Sequence, residues 1–151
     1  MAHPTREDPD DVALRTAAAI FGQQPLMTTL GARLATAEPG HVRIEMPVTA
    51  AIGQQHGYVH AGALTSIVDT ACGCAAATAA EPGTEVLSIG YTVSLMSPAR
   101  GHTIVADGRV VSAGRTIGFC EGTVTALGDD GEVVCARMLA TMRLRPPRPA
   151  R

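Results

Sequence analysis

The stretch Gly57–Ala76, GYVHAGALTSIVDTACGCAA, decides the fold. From about Ala61 it reads as a helix that is apolar or small nearly all the way round, with one charge, Asp69, near its middle. A helix hydrophobic on every side has to be enclosed on every side. A carboxylate within it is costly unless something pairs with it or uses it.

The sequence on either side supplies the enclosure. Before the stretch, Val42, Ile44, Met46 and Val48 alternate with Arg43, Glu45 and Pro47, the period of a half-buried strand, and Pro39-Gly40 turns it back on the strand before it. After it, VLSIGYTVSLMSPA (86–99) places Leu87, Ile89, Tyr91, Val93 and Leu95 on one face and Ser88, Gly90, Thr92 and Ser94 on the other. HTIVADGRVVSA, TIGFCEGTVTALG and EVVCARMLATMRLR read as three further strands, joined by the short connectors SPARG, AGR and GDDGE. Connectors this short force antiparallel neighbours, since a parallel crossover needs about a dozen residues. Upstream, DDVALRTAAAIFGQ reads as a short amphipathic helix with acidic residues at its start. The pattern predicts an α+β chain, a curved antiparallel sheet of five to six strands wrapped around one long central helix. One domain spans 11–145, with a disordered tail over 1–10 and a disordered Pro/Arg tail over 146–151.

Composition narrows the function. The chain has 151 residues, a net charge of −2 and a hydrophobic fraction of 46%, the profile of an ordinary globular domain. No run reaches the roughly 18 charge-free apolar residues of a membrane span, and the N-terminus, MAHPTREDPDDVALR, has the pattern of neither a signal nor a transit peptide. The four cysteines are too few and too scattered for a disulfide framework and read as buried reduced thiols, so the expected compartment is cytoplasmic. The 12 basic residues are all arginine and form no stripe, and the two Tyr, two Phe and absent Trp leave little to stack on bases. Nucleic acid and membrane are not expected partners.

A sheet wrapped around one central helix is the hotdog fold, and the residues also resemble a family. GYVHAGALTSIVDTACG is similar to the His-Gly-Gly…Asp motif of PaaI-like acyl-CoA thioesterases, with His60 and Asp69 nine residues apart. YTVSLMSPARG is like that family's strand ending in Pro-Ala, and VVSAGRTIGFCEGTV like its Gly-Arg hairpin; the likeness runs from about residue 20 to residue 144. Two departures stand out. His-Gly-Gly is His60-Ala61-Gly62 here, and the family's frequent asparagine six residues before the histidine is Gln54. Alanine still offers a backbone N–H, and glutamine keeps the amide on a longer stem.

The chemistry can be read beside the resemblance. A helix start at Ala61 and Gly62 presents unpaired N–H groups and partial positive charge, suited to a thioester oxygen as it gains negative charge. Asp69 lies seven or eight residues on, about 10–12 Å along the axis at 1.5 Å per residue. One helix cannot put both on the same carbonyl; a second copy running antiparallel across a two-fold axis can. The expected enzyme is therefore an acyl-CoA thioesterase acting as a homodimer that assembles further into a homotetramer. Asp69 is its nucleophile or general base, Ala61 its oxyanion donor and Gln54 a site amide. His60, Gly62 and Ser66 are expected to line the substrate, His60 fixing the loop and helix start by a hydrogen bond rather than acting as acid or base, with Ser88 matching a serine some relatives keep near the carboxylate, although strand parity turns it away from the face of Leu87 and Ile89. Arg115, with Arg100 and Arg109 as further candidates, is expected to meet the phosphates of coenzyme A. Coenzyme A is part of the substrate, and no separate cofactor or metal is expected: His56 and His60 lack a third ligand. Two other readings stay open, a hotdog acyl-thioester dehydratase or hydratase pairing His60 with Asp69, and a non-catalytic acyl-CoA-binding protein. No G-x-S-x-G elbow or Walker glycine loop is present. The acyl chain is not specified.

Overall fold

The computed structural model describes residues 7–148. Helix α1 (Pro9–Gly22) begins with proline in its first turn, and the Asp8 carboxylate accepts the Asp10 N–H at 3.0 Å. Proline is preorganised for that position and the aspartate satisfies an orphan donor. The helix thus starts inside the expected tail; residues 1–6, the rest of that tail, and 149–151 lie outside the described residues. A short helix, α2 (Pro25–Thr29), precedes the hairpin of β1 (Arg33–Glu38) and β2 (His41–Pro47). The long helix α3 (Ala61–Ala79) follows, then β3 (Glu85–Leu95), β4 (Thr103–Ala113), β5 (Ile117–Gly128) and β6 (Gly131–Arg145).

The six strands form one antiparallel sheet in the order β1-β2-β4-β5-β6-β3. It curves over α3, which is the hotdog arrangement. Apolar residues of alternate strand positions fill the space beneath: Val42, Ile44 and Met46 from β2, Ile104 and Ala106 from β4, Met138 and Met142 from β6. They pack on Leu64, Ile67, Val68, Ala71 and Cys72 of α3. Helix α1 closes part of the far side through Ala17, Ile20 and Phe21.

Helix and sheet meet most closely at two glycines. Gly108 of β4 and Gly122 of β5 are register partners. A Cβ on Gly108 would stand 2.4 Å from the carbonyl carbon of Ala71 and 2.5 Å from the amide nitrogen of Cys72; one on Gly122 would stand 2.3 Å from Val68 Cγ2. Only the absence of side chains lets the α3 backbone rest directly on Gly108 and the Val68 side chain on Gly122.

Two expectations need correcting. The alternation along β3 is broken by a bulge between Ser88 and Gly90, so Leu87 and Ile89 do not share the inner face. Leu87 is 67% and Ile89 56% exposed, whereas Ser88 pairs with the fully buried Met142 and faces the helix. An extra residue reverses side-chain parity beyond it, and Val93 again packs inward. Helix α3 is also not enclosed on all sides: Gly62 is exposed, and Ser66, Asp69 and Gly73 are half-buried, leaving one small-residue face uncovered.

Gly108→Ala is expected to lower stability by at least about 2 kcal/mol, because overpacking against backbone leaves nothing flexible to yield. Gly90→Ala, where the added Cβ meets nothing within 4 Å, is expected to change it by less than about 0.5 kcal/mol. Denaturant melts of the two variants check the contrast.

Candidate functional site

Helix α3 carries two separate polar features on its open side. The first is its start. His60 is the N-cap, and its Nδ1 accepts the Gly62 N–H at 2.8 Å. The Ala63 and Leu64 N–H groups donate to the His60 carbonyl at 3.0 and 3.3 Å. Among the described residues, Ala61 is left as the first-turn residue whose N–H makes no hydrogen bond. It lines a hollow of about 390 Å³ with Gln54, Tyr58, Leu64, Leu95 and Met96. Gly62, by contrast, gives its donor to the cap.

The loop before α3 is fixed by its own hydrogen bonds. Val59 N–H donates to Ala99 O and His60 N–H to Ile52 O. The Gln54 side-chain carbonyl accepts the His56 N–H, while Gln54 N–H donates to Tyr58 O at 2.8 Å. Gly57, at φ +79°, makes the tight return that this loop requires. The Gln54 carboxamide therefore shapes the loop, and the residue borders the hollow. Arg100 lies over the Tyr58 ring, 4.2 Å from its centroid, at the same mouth.

The second feature is Asp69. Ser88 Oγ donates to Asp69 Oδ1 at 2.6 Å, and Met142 Sδ lies 3.3 Å from the same hydroxyl. The bulge makes this contact possible by turning Ser88 inward. A side-chain hydroxyl bound to a carboxylate is a strong, orienting hydrogen bond. No arginine forms an ion pair with Asp69 among the described residues. The carboxylate opens into a cavity of about 610 Å³ between α1, α3 and the start of β3. That cavity and the hollow at Ala61 share no lining residue.

The remaining expected residues divide. Ser66 Oγ donates to Gly62 O at 2.7 Å and Thr65 Oγ1 to Ala61 O at 2.9 Å, so both hydroxyl protons are held by their own helix. Ser66 does stand on the open face between the two features. Arg115 is exposed in the β4–β5 turn and borders neither cavity. Arg109, mid-strand on β4, is exposed and borders neither. Sequence reasoning missed Gln24, whose Oε1 accepts the Thr70 hydroxyl at 3.0 Å, and Thr84, both lining the Asp69 cavity. Neither lies in a motif; only the packing of α1 and the turn before β3 brings them there. Among the described residues no group of three His, Cys, Asp or Glu side chains is placed to hold a metal, and no helix is long and apolar enough to cross a membrane.

The thiols are not part of this chemistry. All four are buried. Burial pushes the Cys74 thiol up to about 12 and the Cys120 thiol up to about 11, and raises Cys72 further still, with Cys120, Asp69 and Glu121 adding to it. Burial also raises Cys135, with a backbone hydrogen bond from Ala126 opposing. Thiolate is the reactive form, and raised values keep these groups protonated until well above neutral pH. At pH 8 the native protein is expected to show no fast-reacting thiol toward an aromatic disulfide reagent, and the unfolded protein to release four equivalents.

Comparison with known proteins agrees with the architecture. The thioesterase superfamily model matches residues 56–133, which contain α3, β3, β4 and β5. A protein of Halobacterium salinarum named as an esterase is 32% identical over 112 residues, covering 71% of this chain and 74% of its own. The crystal structure of a thioesterase family protein from Silicibacter pomeroyi superposes with a TM-score of 0.86 at 36% identity, over 89% of this chain and 99% of that one. The PaaI protein of the E. coli phenylacetic acid degradation operon shares the fold at a TM-score of 0.82 and 20% identity, over 92% and 97% of the two chains.

Proposed function

The chain belongs to the thioesterase superfamily and is a hydrolase acting on acyl thioesters; from that premise we propose that it cleaves acyl-CoA, with Asp69 of one subunit and the Ala61 N–H of another at each site. The observation that carries this reading is the separation of the two features. The Ser88-held carboxylate and the free Ala61 donor open on the same helix side but into different cavities, eight residues or about 12 Å apart along the axis.

The edge of the sheet supports the same assembly. β3 ends the strand order, so one side of it has no neighbour among the described residues. From Val86 to Met96 it bears no charge. Natural edges are ordinarily guarded by charge, proline or cover. A second copy pairing along β3 covers this one, and a two-fold there runs the two α3 helices antiparallel, bringing the start of each toward the middle of the other.

In the composite site the thioester oxygen accepts from Ala61 N–H as the carbonyl carbon becomes tetrahedral, and the thiolate of coenzyme A leaves. Asp69 either attacks that carbon, giving a mixed anhydride that water then opens, or takes a proton from the attacking water. The Ser88 hydrogen bond fixes the carboxylate for either course. His60 serves as a cap, its Nδ1 occupied by Gly62 N–H. Arg100, stacked on Tyr58 beside the Ala61 hollow, is better placed than Arg115 for the phosphates. No membrane or nucleic acid is needed, and the cytoplasm supplies the substrate.

Asp69→Asn is expected to lower kcat on a panel of acyl-CoAs by about 10²- to 10⁴-fold, the usual scale for a positioned acid–base group, with its circular dichroism unchanged. A variant as fast as the parent overturns the role of Asp69. Ala61→Pro removes the donor at a helix position where proline is tolerated and is expected to cost about 10²- to 10³-fold. Two-tag purification of heterodimers carrying Asp69→Asn in one subunit and Ala61→Pro in the other is expected to restore about half the parental rate, since one of the two composite sites is then intact. No recovery means that each site draws on a single chain.

A further inference from the structure

Gln24 stands at the N-cap position of α2, but its side chain does not cap that helix. Its backbone is held on both sides, the N–H donating to Phe21 O at 3.2 Å and the carbonyl accepting from Met27 N–H at 3.1 Å. The side chain turns instead to α3, where its Oε1 accepts the Thr70 hydroxyl at 3.0 Å. Thr70 is the residue after Asp69 and is 8% exposed. Thr65 and Ser66, a turn earlier, give their hydroxyl protons to carbonyls of their own helix; Thr70 gives its proton to a different element. The Gln24 carboxamide is thereby fixed beside the carboxylate, with its acceptor used and its NH₂ left over.

The other polar groups bordering this cavity have little left to offer. The Ser88 proton belongs to Asp69 and the Thr70 proton to Gln24. Glu85 is paired with Arg145 and can only accept. The Cys74 thiol, pushed up to about 12 by burial, is a weak donor. The Thr84 hydroxyl oxygen is enclosed, without a partner and out of reach of the cavity. Gln24 and Asp69 are only half-buried. Neither Gln24 Nε2 nor Asp69 Oδ2 makes a hydrogen bond among the described residues, and neither is enclosed as the Thr84 oxygen is. One free donor, held by Thr70, and one free acceptor, carried by the residue before it, therefore open on the same space. A water molecule in a protein cavity is held by two to four such partners.

Resting on the thioesterase reading above, we infer that Gln24 is a water-positioning residue, its NH₂ donating to the water whose proton Asp69 Oδ2 takes, and that Thr70 acts through it by fixing the carboxamide. The water oxygen accepts from Gln24 and donates one hydrogen to Asp69, which leaves a lone pair for the thioester carbon. As the new C–O bond forms, the O–H bond breaks and its proton passes to Asp69. The tetrahedral intermediate then expels the sulfur of coenzyme A, which takes that proton. The free acid keeps the oxygen and the second hydrogen of the water. Of the two courses open to Asp69, this arrangement selects the general base.

Kinetics on an acyl-CoA that the parent protein hydrolyses test the assignment. Gln24→Met, which keeps the length and removes the NH₂, is expected to lower kcat about tenfold, the scale of one hydrogen bond, with KM within about twofold. Thr70→Val is expected to lower kcat about threefold, and Thr70→Ser to recover most of that loss. Gln24→Met combined with Thr70→Val is expected to be no slower than Gln24→Met alone, because the two residues act as one unit. The unsubstituted protein gives an independent readout. In a single turnover in heavy-oxygen water, with enzyme in excess, the label is expected in the released acid and not in the Asp69 side chain. Label in the Asp69 carboxylate, an unchanged kcat in Gln24→Met, a raised KM at constant kcat, or fully additive losses in the double variant overturn the proposal. Undiminished hydrolysis by Asp69→Asn overturns the role of Asp69 and this proposal with it; a slow Asp69→Asn beside an unchanged Gln24→Met overturns this proposal alone.

Discussion

The contact of α3 with the paired glycines, its Ala71–Cys72 backbone on Gly108 and its Val68 and Cys72 side chains on Gly122, governs the rest of the molecule. Packed interiors tolerate no void and no overlap, so seating the helix on bare strand backbone fixes its height over the sheet. Asp69 lies two residues before this seat, and its direction is set by the same placement. At that height its carboxylate comes within 2.6 Å of Ser88 Oγ. A Cβ under either glycine would lift the helix and draw these groups apart. Two residues with no functional group therefore hold the Asp69–Ser88 geometry.

β3 shows where a period of two stops being a guide. Leu87, Ile89, Tyr91, Val93 and Leu95 form an unbroken alternation in sequence, and on that reading Ser88 faces away from the helix. The bulge between Ser88 and Gly90 divides the row, so Leu87 and Ile89 point outward while Ser88 meets Asp69. A bulge is a hydrogen-bonding irregularity between two strands, and one strand's composition does not announce it. The six strands, the long helix and the Asp69–Ala61 separation were legible because each follows from a local pattern or a fixed rise per residue. The start of α1 at Pro9 was legible in principle, from proline at the first position and Asp8 before it. Gln24 and Thr84 were not. They belong to the cavity through tertiary packing alone, being 60 residues apart in sequence.

His60 illustrates a finer limit. Its place beside Ala61 and Gly62 suggests a hydrogen bond that fixes the helix start, and its ring makes one by accepting Gly62 N–H, at the expense of a donor that the sequence left open. The cap consumes one of two candidate donors and leaves the other. Substitution of glycine by alanine at position 61 of the motif is compatible with this arrangement, since the remaining donor is a backbone group and the side chain adds only a methyl. The small residue is needed for approach, the N–H for charge.

Three features are incomplete in the single chain: an uncharged edge on β3, an open small-residue face on α3, and an Ala61 N–H without an acceptor. Each alone has an ordinary explanation, an unguarded edge in one case and a solvated helix end in another. The two-fold dimer proposed above, paired along β3, would answer all of them. In that dimer the edge would gain a strand, the face its twin, and the donor would come to stand over a carboxylate. Asp69 is affordable mid-helix for the same reason. Its stretch of α3 was never wholly interior, because Ser88 supplies one hydrogen bond and the open face admits water and substrate.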